Sequence, residues 1–137
     1  MKKLFILIAF PFILNSQTAV EGKVVKDSTQ AKITIVGRSK EEAKQLIESL
    51  RDRINSGESF SELAMQYSDD PGSAKKGGML PPLKRGQMVP EFEEVVYSLK
   101  PGEISDVFET KYGFHFVQLM NRDGETRVAR HILVAVK

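Results

Sequence analysis

Apolar residues recur at helical spacing in the first half of the chain and in alternation or short runs in the second. Ala43, Leu46, Ile47, Leu50 and Ile54 fall three and four apart, the period of one helix face. Ser39, three residues ahead of Glu42, supplies a capping box for that helix, and Gly57 stands where a helix C-terminus takes a glycine. A second box, Ser59 with Glu62, opens a shorter helix in which Phe60, Leu63, Ala64 and Tyr67 share a face. Residues 68–78 are polar and form a loop, with room for one helical turn at residues 73–76. Residues 79–83 are extended, because Pro81 and Pro82 exclude a helix interior. Pro90 suits the first turn of a helix, and Glu91, Glu93 and Glu94 suit its positive end. Phe92, Val95, Val96 and Leu99 form its buried side, and Pro101-Gly102 ends it.

The remaining pattern is β. Residues 32–36 are rich in β-branched side chains and predict a strand. Residues 104–109 and 114–120 predict two strands joined by the turn Lys111-Tyr112-Gly113. Asp123-Gly124 marks another turn, and residues 127–136 predict a further strand. Helices around an antiparallel sheet make an α+β fold.

Ahead of this lies a different segment. Lys2 and Lys3 precede an apolar run over residues 4–14, too short to cross a bilayer comfortably, and residues 15–19 are small and polar. Residues 1–19 therefore have the layout of a secretory signal peptide, cleaved after Ser16 or Ala19; an uncleaved anchor is the alternative. Residues 20–31 are a patternless linker. The rest suffices for one small domain. A net charge of +2, with basic and acidic residues interleaved as in Arg51-Asp52-Arg53, gives no argument for nucleic acid as a partner. With no cysteine, the chain has no disulfide framework and no thiolate metal site.

The chemistry sits between Phe60 and His115. That stretch contains Phe-Ser-Glu-Leu-Ala-Met-Gln-Tyr-Ser-Asp-Asp, Lys-Lys-Gly-Gly, Arg-Gly-Gln-Met-Val-Pro-Glu-Phe-Glu, Leu-Lys-Pro-Gly-Glu-Ile-Ser and Thr-Lys-Tyr-Gly-Phe-His. In that order these segments resemble the parvulin family of peptidyl-prolyl cis-trans isomerases. The resemblance covers residues 32–121 and implies a four-stranded antiparallel sheet surrounded by helices, in the order βαααβαββ. It also implies a prolyl isomerase that assists folding of exported or envelope proteins in the periplasm or cell envelope. Its partners would be proline-containing unfolded or nascent exported polypeptides. It implies no metal, no cofactor, no nucleic acid and no stable membrane insertion after signal cleavage.

Prolyl isomerisation needs no covalent step. The barrier of about 18–20 kcal/mol comes from amide resonance, so a site must prefer the twisted amide to either planar form. An apolar pocket for the pyrrolidine ring and a few polar groups at the amide are enough. By the resemblance, Leu80, Met88 and Phe92 are similar to the proline-pocket residues, with Gln87 and Tyr112 beside them. Met88 and Phe92 are four apart and can share one side of a helix entry, though spacing alone also fits plain core residues. His115 is similar to the family's active-site histidine, ordering a polar network rather than transferring protons. Thr110 stands near it in sequence, and Asp70 matches a position that holds aspartate in many bacterial members. A turn aspartate before Pro71-Gly72 is the plainer reading of Asp70. Lys75-Lys76-Gly77-Gly78 lacks the strand and helix that a phosphate-cradling loop requires.

The chain departs from the family in its first strand, which usually carries a histidine. Ile33 or Thr34 takes that position here, and of the two Thr34 can replace a hydrogen bond. The expectation is therefore modest activity, with a peptide-binding chaperone module as the alternative. Val128-Ala129-Arg130-His131-Ile132-Leu133-Val134 resembles the missing opening strand. Residues 122–137 are accordingly expected to be an extension outside the minimal fold, opening a second domain of a longer tandem protein. A rival arrangement folds this strand back at Asp123-Gly124 and brings His131 to the site.

Overall fold

The computed structural model describes residues 37–137. The expected signal segment 1–19, the linker 20–31 and the strand at 32–36, with Ile33 and Thr34, lie outside the described residues. In chain order the elements are α1 (Lys40–Asn55), α2 (Phe60–Tyr67), α3 (Pro71–Ala74), α4 (Pro90–Ser98), β1 (Phe108–Thr110), β2 (Gly113–Asp123) and β3 (Thr126–Val134).

Local chemistry starts the helices where the sequence places them. Both halves of the Ser39–Glu42 capping box form at α1, and the Ser59 hydroxyl accepts the Glu62 amide at α2. Gly57, with φ of 111°, follows the C-cap Ser56. The single helical turn in the 68–78 loop comes earlier than expected, at Pro71–Ala74. Asp70 caps it by accepting the Gly72 amide at 3.2 Å, and Pro71 fits its first position.

The described sheet is antiparallel, with strands in the order β1-β2-β3. Residues alternate between its faces. Phe114 and Phe116 of β2 join Ile132 and Val134 of β3 on one face, under Ala43, Ile47 and Leu50 of α1 and Phe60, Leu63 and Ala64 of α2. On the other face Val117, Leu119 and Ala129 pack against Leu83 and against Phe92 and Val96 of α4. Burial on both faces is confined to the first half of β2, where Phe114, Phe116, Val117 and Leu119 stand, and the strand turns polar and exposed from Asn121 onward.

The described residues show three strands of an antiparallel sheet; the first strand of the expected four-strand order lies outside them. The 104–109 strand shrinks to Phe108–Thr110, with Ile104 making a single bridge to Gln118. There the Ser105 amide donates to the Val117 carbonyl, but the Val117 amide is taken by the Ser105 hydroxyl, so a side chain replaces one backbone acceptor of the ladder. Residues 79–83 pair with β3 through the isolated bridges Met79–Arg130 and Leu83–Arg127 rather than as a continuous strand. Pro81 and Pro82 between them have no amide hydrogen to donate.

The largest correction concerns residues 127–136. They do not stand outside the domain. β3 pairs with β2 from Phe114–Val134 to Asp123–Thr126, folding back through the turn at Gly124. Its other edge is also taken: the Leu80 amide donates to the Ala129 carbonyl, the His131 amide to the Gly78 carbonyl and the Asp69 amide to the Leu133 carbonyl. Ala129, Ile132 and Val134 are fully buried. The physical reason is that an apolar strand with free edges pairs with the nearest open edge, and β2 offers one.

β3 ends beside the start of α1. The Lys137 amide donates to the Arg38 carbonyl at 2.8 Å. The Asp69 carboxylate accepts from Arg38 Nη1 at 2.6 Å and the Ala135 amide at 2.9 Å, and pairs with Lys137 Nζ at 3.0 Å. Partial burial alone would raise the Asp69 pKa, but the Ala135 amide, Arg38 and Lys137 outweigh it and hold the carboxyl below its ordinary value.

Candidate active site

Alternation on the sheet sets the centre of the site. His115 pairs with Leu133 and His131 with Val117, so the two histidines are diagonal neighbours on the face under α4. Their rings stack with centroids 5.5 Å apart and planes 20° apart. Phe108 stacks on the far side of His115 at 5.3 Å. Phe92 of α4 meets both imidazoles edge-on at 5.4 Å, and Phe108 at 5.7 Å.

A chain of hydrogen bonds runs through the two rings. The Asp70 Oδ2 to His131 Nε2 distance is 2.8 Å, His131 Nδ1 to His115 Nδ1 is 3.3 Å, and His115 Nε2 to Thr110 Oγ1 is 2.7 Å. Thr110 Oγ1 also accepts the Tyr112 amide at 3.1 Å. Chemistry fixes the direction. A carboxylate only accepts, so His131 Nε2 carries a hydrogen. With His131 neutral, its Nδ1 is then bare and His115 Nδ1 must donate to it. His115 Nε2 accepts from the Thr110 hydroxyl. Protonation of His131 reverses the His131–His115 and His115–Thr110 links.

The charges follow the burial. His115 is 3% exposed, and burial first, then the neighbouring His131 charge, push its pKa down to about 3, with Asp70 pulling the other way. The His131 hydrogen bond, helped by Ser73, the His131 charge and the Gly72 amide, holds Asp70 well below the carboxylate range against its partial burial. His115 is thus a neutral hydrogen-bonding group at any ordinary pH.

The sign of the pH dependence follows. Unfolded His115 takes up a proton near 6.5 and folded His115 only near 3. Between those values the unfolded state binds more protons, so the stability from neutral His115 is complete above 6.5 and is lost as pH falls towards 3. Asp70 adds a loss of the same sign below the ordinary aspartate value. Denaturant midpoints measured from about pH 7 down to about pH 4 should fall, and the slope should flatten in His115→Gln. A flat profile in the parent protein would contradict a buried neutral His115.

Over this network lies a cavity of about 340 Å³. Leu80, Met88, Phe92, Gln87 and Tyr112 all line it, together with Asp70, His115 and His131. Thr110 is buried behind His115. Gln87 is partly occupied, since its Oε1 accepts the Lys84 amide. Tyr112 is 55% exposed at the rim. Sequence reading missed Leu83, Val89 and Leu133 as lining residues. It held His131 only as the rival arrangement; the one signal was the likeness of residues 128–134 to the missing opening strand, and strand pairing is what brings His131 to the site. The position expected of Thr34 lies outside the described residues. Among the described residues, no group of three or more His, Cys, Asp and Glu is placed to hold a metal ion. No described helix is long and apolar enough to cross a membrane.

The family described as the PPIC-type PPIASE domain matches residues 16–123. Chaperone SurA of Nitrosococcus oceani is 51% identical over 87 residues, which cover 64% of this chain and 20% of that protein. Foldase protein PrsA 4 of Bacillus cereus is 35% identical over 118 residues, covering 84% of this chain and 41% of that protein. The chain therefore spans well under half the length of these curated relatives. Among solved structures, the peptidylprolyl isomerase PrsA from Bacillus cereus superimposes with a TM-score of 0.55 at 38% identity, over 63% of this chain and 32% of that one.

Proposed function

Because this chain belongs to the PPIC-type peptidyl-prolyl isomerase family, we propose that its pocket accelerates rotation about Xaa-Pro bonds in unfolded exported polypeptides. One observation carries the reading: an apolar cavity whose floor is the hydrogen-bonded set Asp70, His131, His115 and Thr110. Leu80, Met88 and Phe92 grip the pyrrolidine ring. Tyr112 and the free amide end of Gln87 meet the flanking peptide. The two buried histidines hold fixed dipoles beside the amide, where they favour the twisted form over the planar ones without a proton changing hands. The polar network is fuller than the first-strand sequence suggests, since His131 enters from β3. That removes the reason to expect weak turnover.

Residues 1–19 support export, and the extended segment at 79–83, lying along β3, supports a fourth row of the sheet in the family's manner. A peptide-binding chaperone role is the second reading, favoured by the likeness to chaperone SurA.

The test is the cis-to-trans relaxation of a short Xaa-Pro peptide. Catalysed relaxation is expected from the parent protein. Met88→Ala should raise KM more than it lowers kcat, because it removes apolar grip common to ground and transition states. Relaxation at the uncatalysed rate by folded protein, with peptide binding retained, leaves only the chaperone reading.

A further inference from the structure

Ser73 lies outside every motif singled out in the sequence, yet it is 2% exposed and sits against the site. Its hydroxyl donates to Asp70 Oδ2 at 2.7 Å, the same oxygen that His131 Nε2 approaches at 2.8 Å. Its carbonyl accepts the Gly78 amide at 2.8 Å, and the Gly78 carbonyl accepts the His131 amide at 2.9 Å. These four bonds close a ring. It leaves the backbone of His131, passes through Gly78, Ser73 and Asp70, and returns to the imidazole of the same residue. Gly78 has φ of 89°, and a Cβ there would meet the His131 carbonyl at 2.5 Å, so the strand and the turn are in close register.

We infer that Ser73 is a positioning residue, which sets the orientation and tautomer of His131 by pinning the Asp70 carboxylate. Asp70 cannot do this alone. Its final side-chain torsion is broad, and its side chain is 29% exposed, so water competes for it. Oδ1 is tied only to the Gly72 amide at 3.2 Å. The buried hydroxyl fixes Oδ2 towards His131 from the dry side. With Oδ2 fixed, His131 keeps its hydrogen on Nε2 and offers a bare Nδ1 to His115. Without it, the carboxylate rotates towards solvent and both tautomers of His131 become accessible. Ser73 touches neither the pocket nor a substrate, so its influence passes through Asp70.

The kinetic part of this inference rests on the isomerase reading; the spectroscopic part does not. The experiment compares the full chain with its Ser73→Ala variant, a smaller side chain that the fold accommodates. Ring-nitrogen NMR of the parent should show one His131 tautomer, protonated at Nε2. Ser73→Ala should show averaged nitrogen shifts for His131. In peptide relaxation, kcat should drop about tenfold while KM stays within about twofold. A merely structural serine would lower stability without moving the His131 nitrogens or separating kcat from KM, and that result overturns the proposal. Absence of turnover in the parent would sink the isomerase reading, while the nitrogen spectra still decide the role of Ser73.

Discussion

Ending the chain after Gly124 is expected to leave no cooperatively unfolding domain and no turnover. The deletion removes Ala129, Ile132 and Val134, all fully buried and divided between the two faces of the sheet. Burying an aliphatic side chain of this size is worth about 1.5–3 kcal/mol. Losing the larger of these, together with Leu133 and the β2 pairing, approaches the whole stability of a small domain, about 5–15 kcal/mol. The deletion also strips β2 of one edge and leaves Asp70 and His115 without His131. Urea unfolding followed by far-UV circular dichroism is the direct measurement. A truncated chain that unfolds at the parent's midpoint and still turns over would show β3 to be dispensable, as the sequence alone suggests.

Phe92→Ala should be the most damaging single substitution in the pocket. Phe92 of α4 is 6% exposed and packs in the core between that helix and the sheet, while its ring braces Phe108, His115 and His131 edge-on. A buried phenylalanine truncated to alanine costs about 3–5 kcal/mol. The edge contacts carry about 0.5–1.5 kcal/mol each beyond their area. Phe92→Leu separates the two roles. It keeps most of the volume and should cost less stability, but it leaves the histidine stack unbraced and should still depress kcat/KM. Equal turnover by a well-folded Phe92→Leu would reduce Phe92 to a core residue. Unchanged stability in Phe92→Ala would contradict its burial.

These two results depend on different kinds of information. Phe92 was legible in the sequence, both as one side of a helix and through the Arg85-Gly86-Gln87-Met88 context. So were α1, α2 and the hairpin of Phe108–Thr110 with Gly113–Asp123, because capping serines, helical spacing and tight turns act over a few residues. Asp70, His115 and Thr110 were legible as chemistry, and the structure brings them into one hydrogen-bonded chain. Ser73 left no signal, since a serine in a polar loop resembles any other until its burial is known. The family match itself stops at Asp123, before β3 begins.

The sequence by itself determined the helix starts, which follow from short-range periodicity and local caps, and its family resemblance supplied the apolar pocket and the acidic and histidine candidates. It also determined that residues 127–136 make a strand. Only the tertiary structure decided where that strand goes. Alternation says which side chains share a face, but the choice of partner depends on which edge is open elsewhere in the fold. That edge belongs to β2, and pairing with it carries His131 beside His115, within reach of Asp70 from 61 residues away.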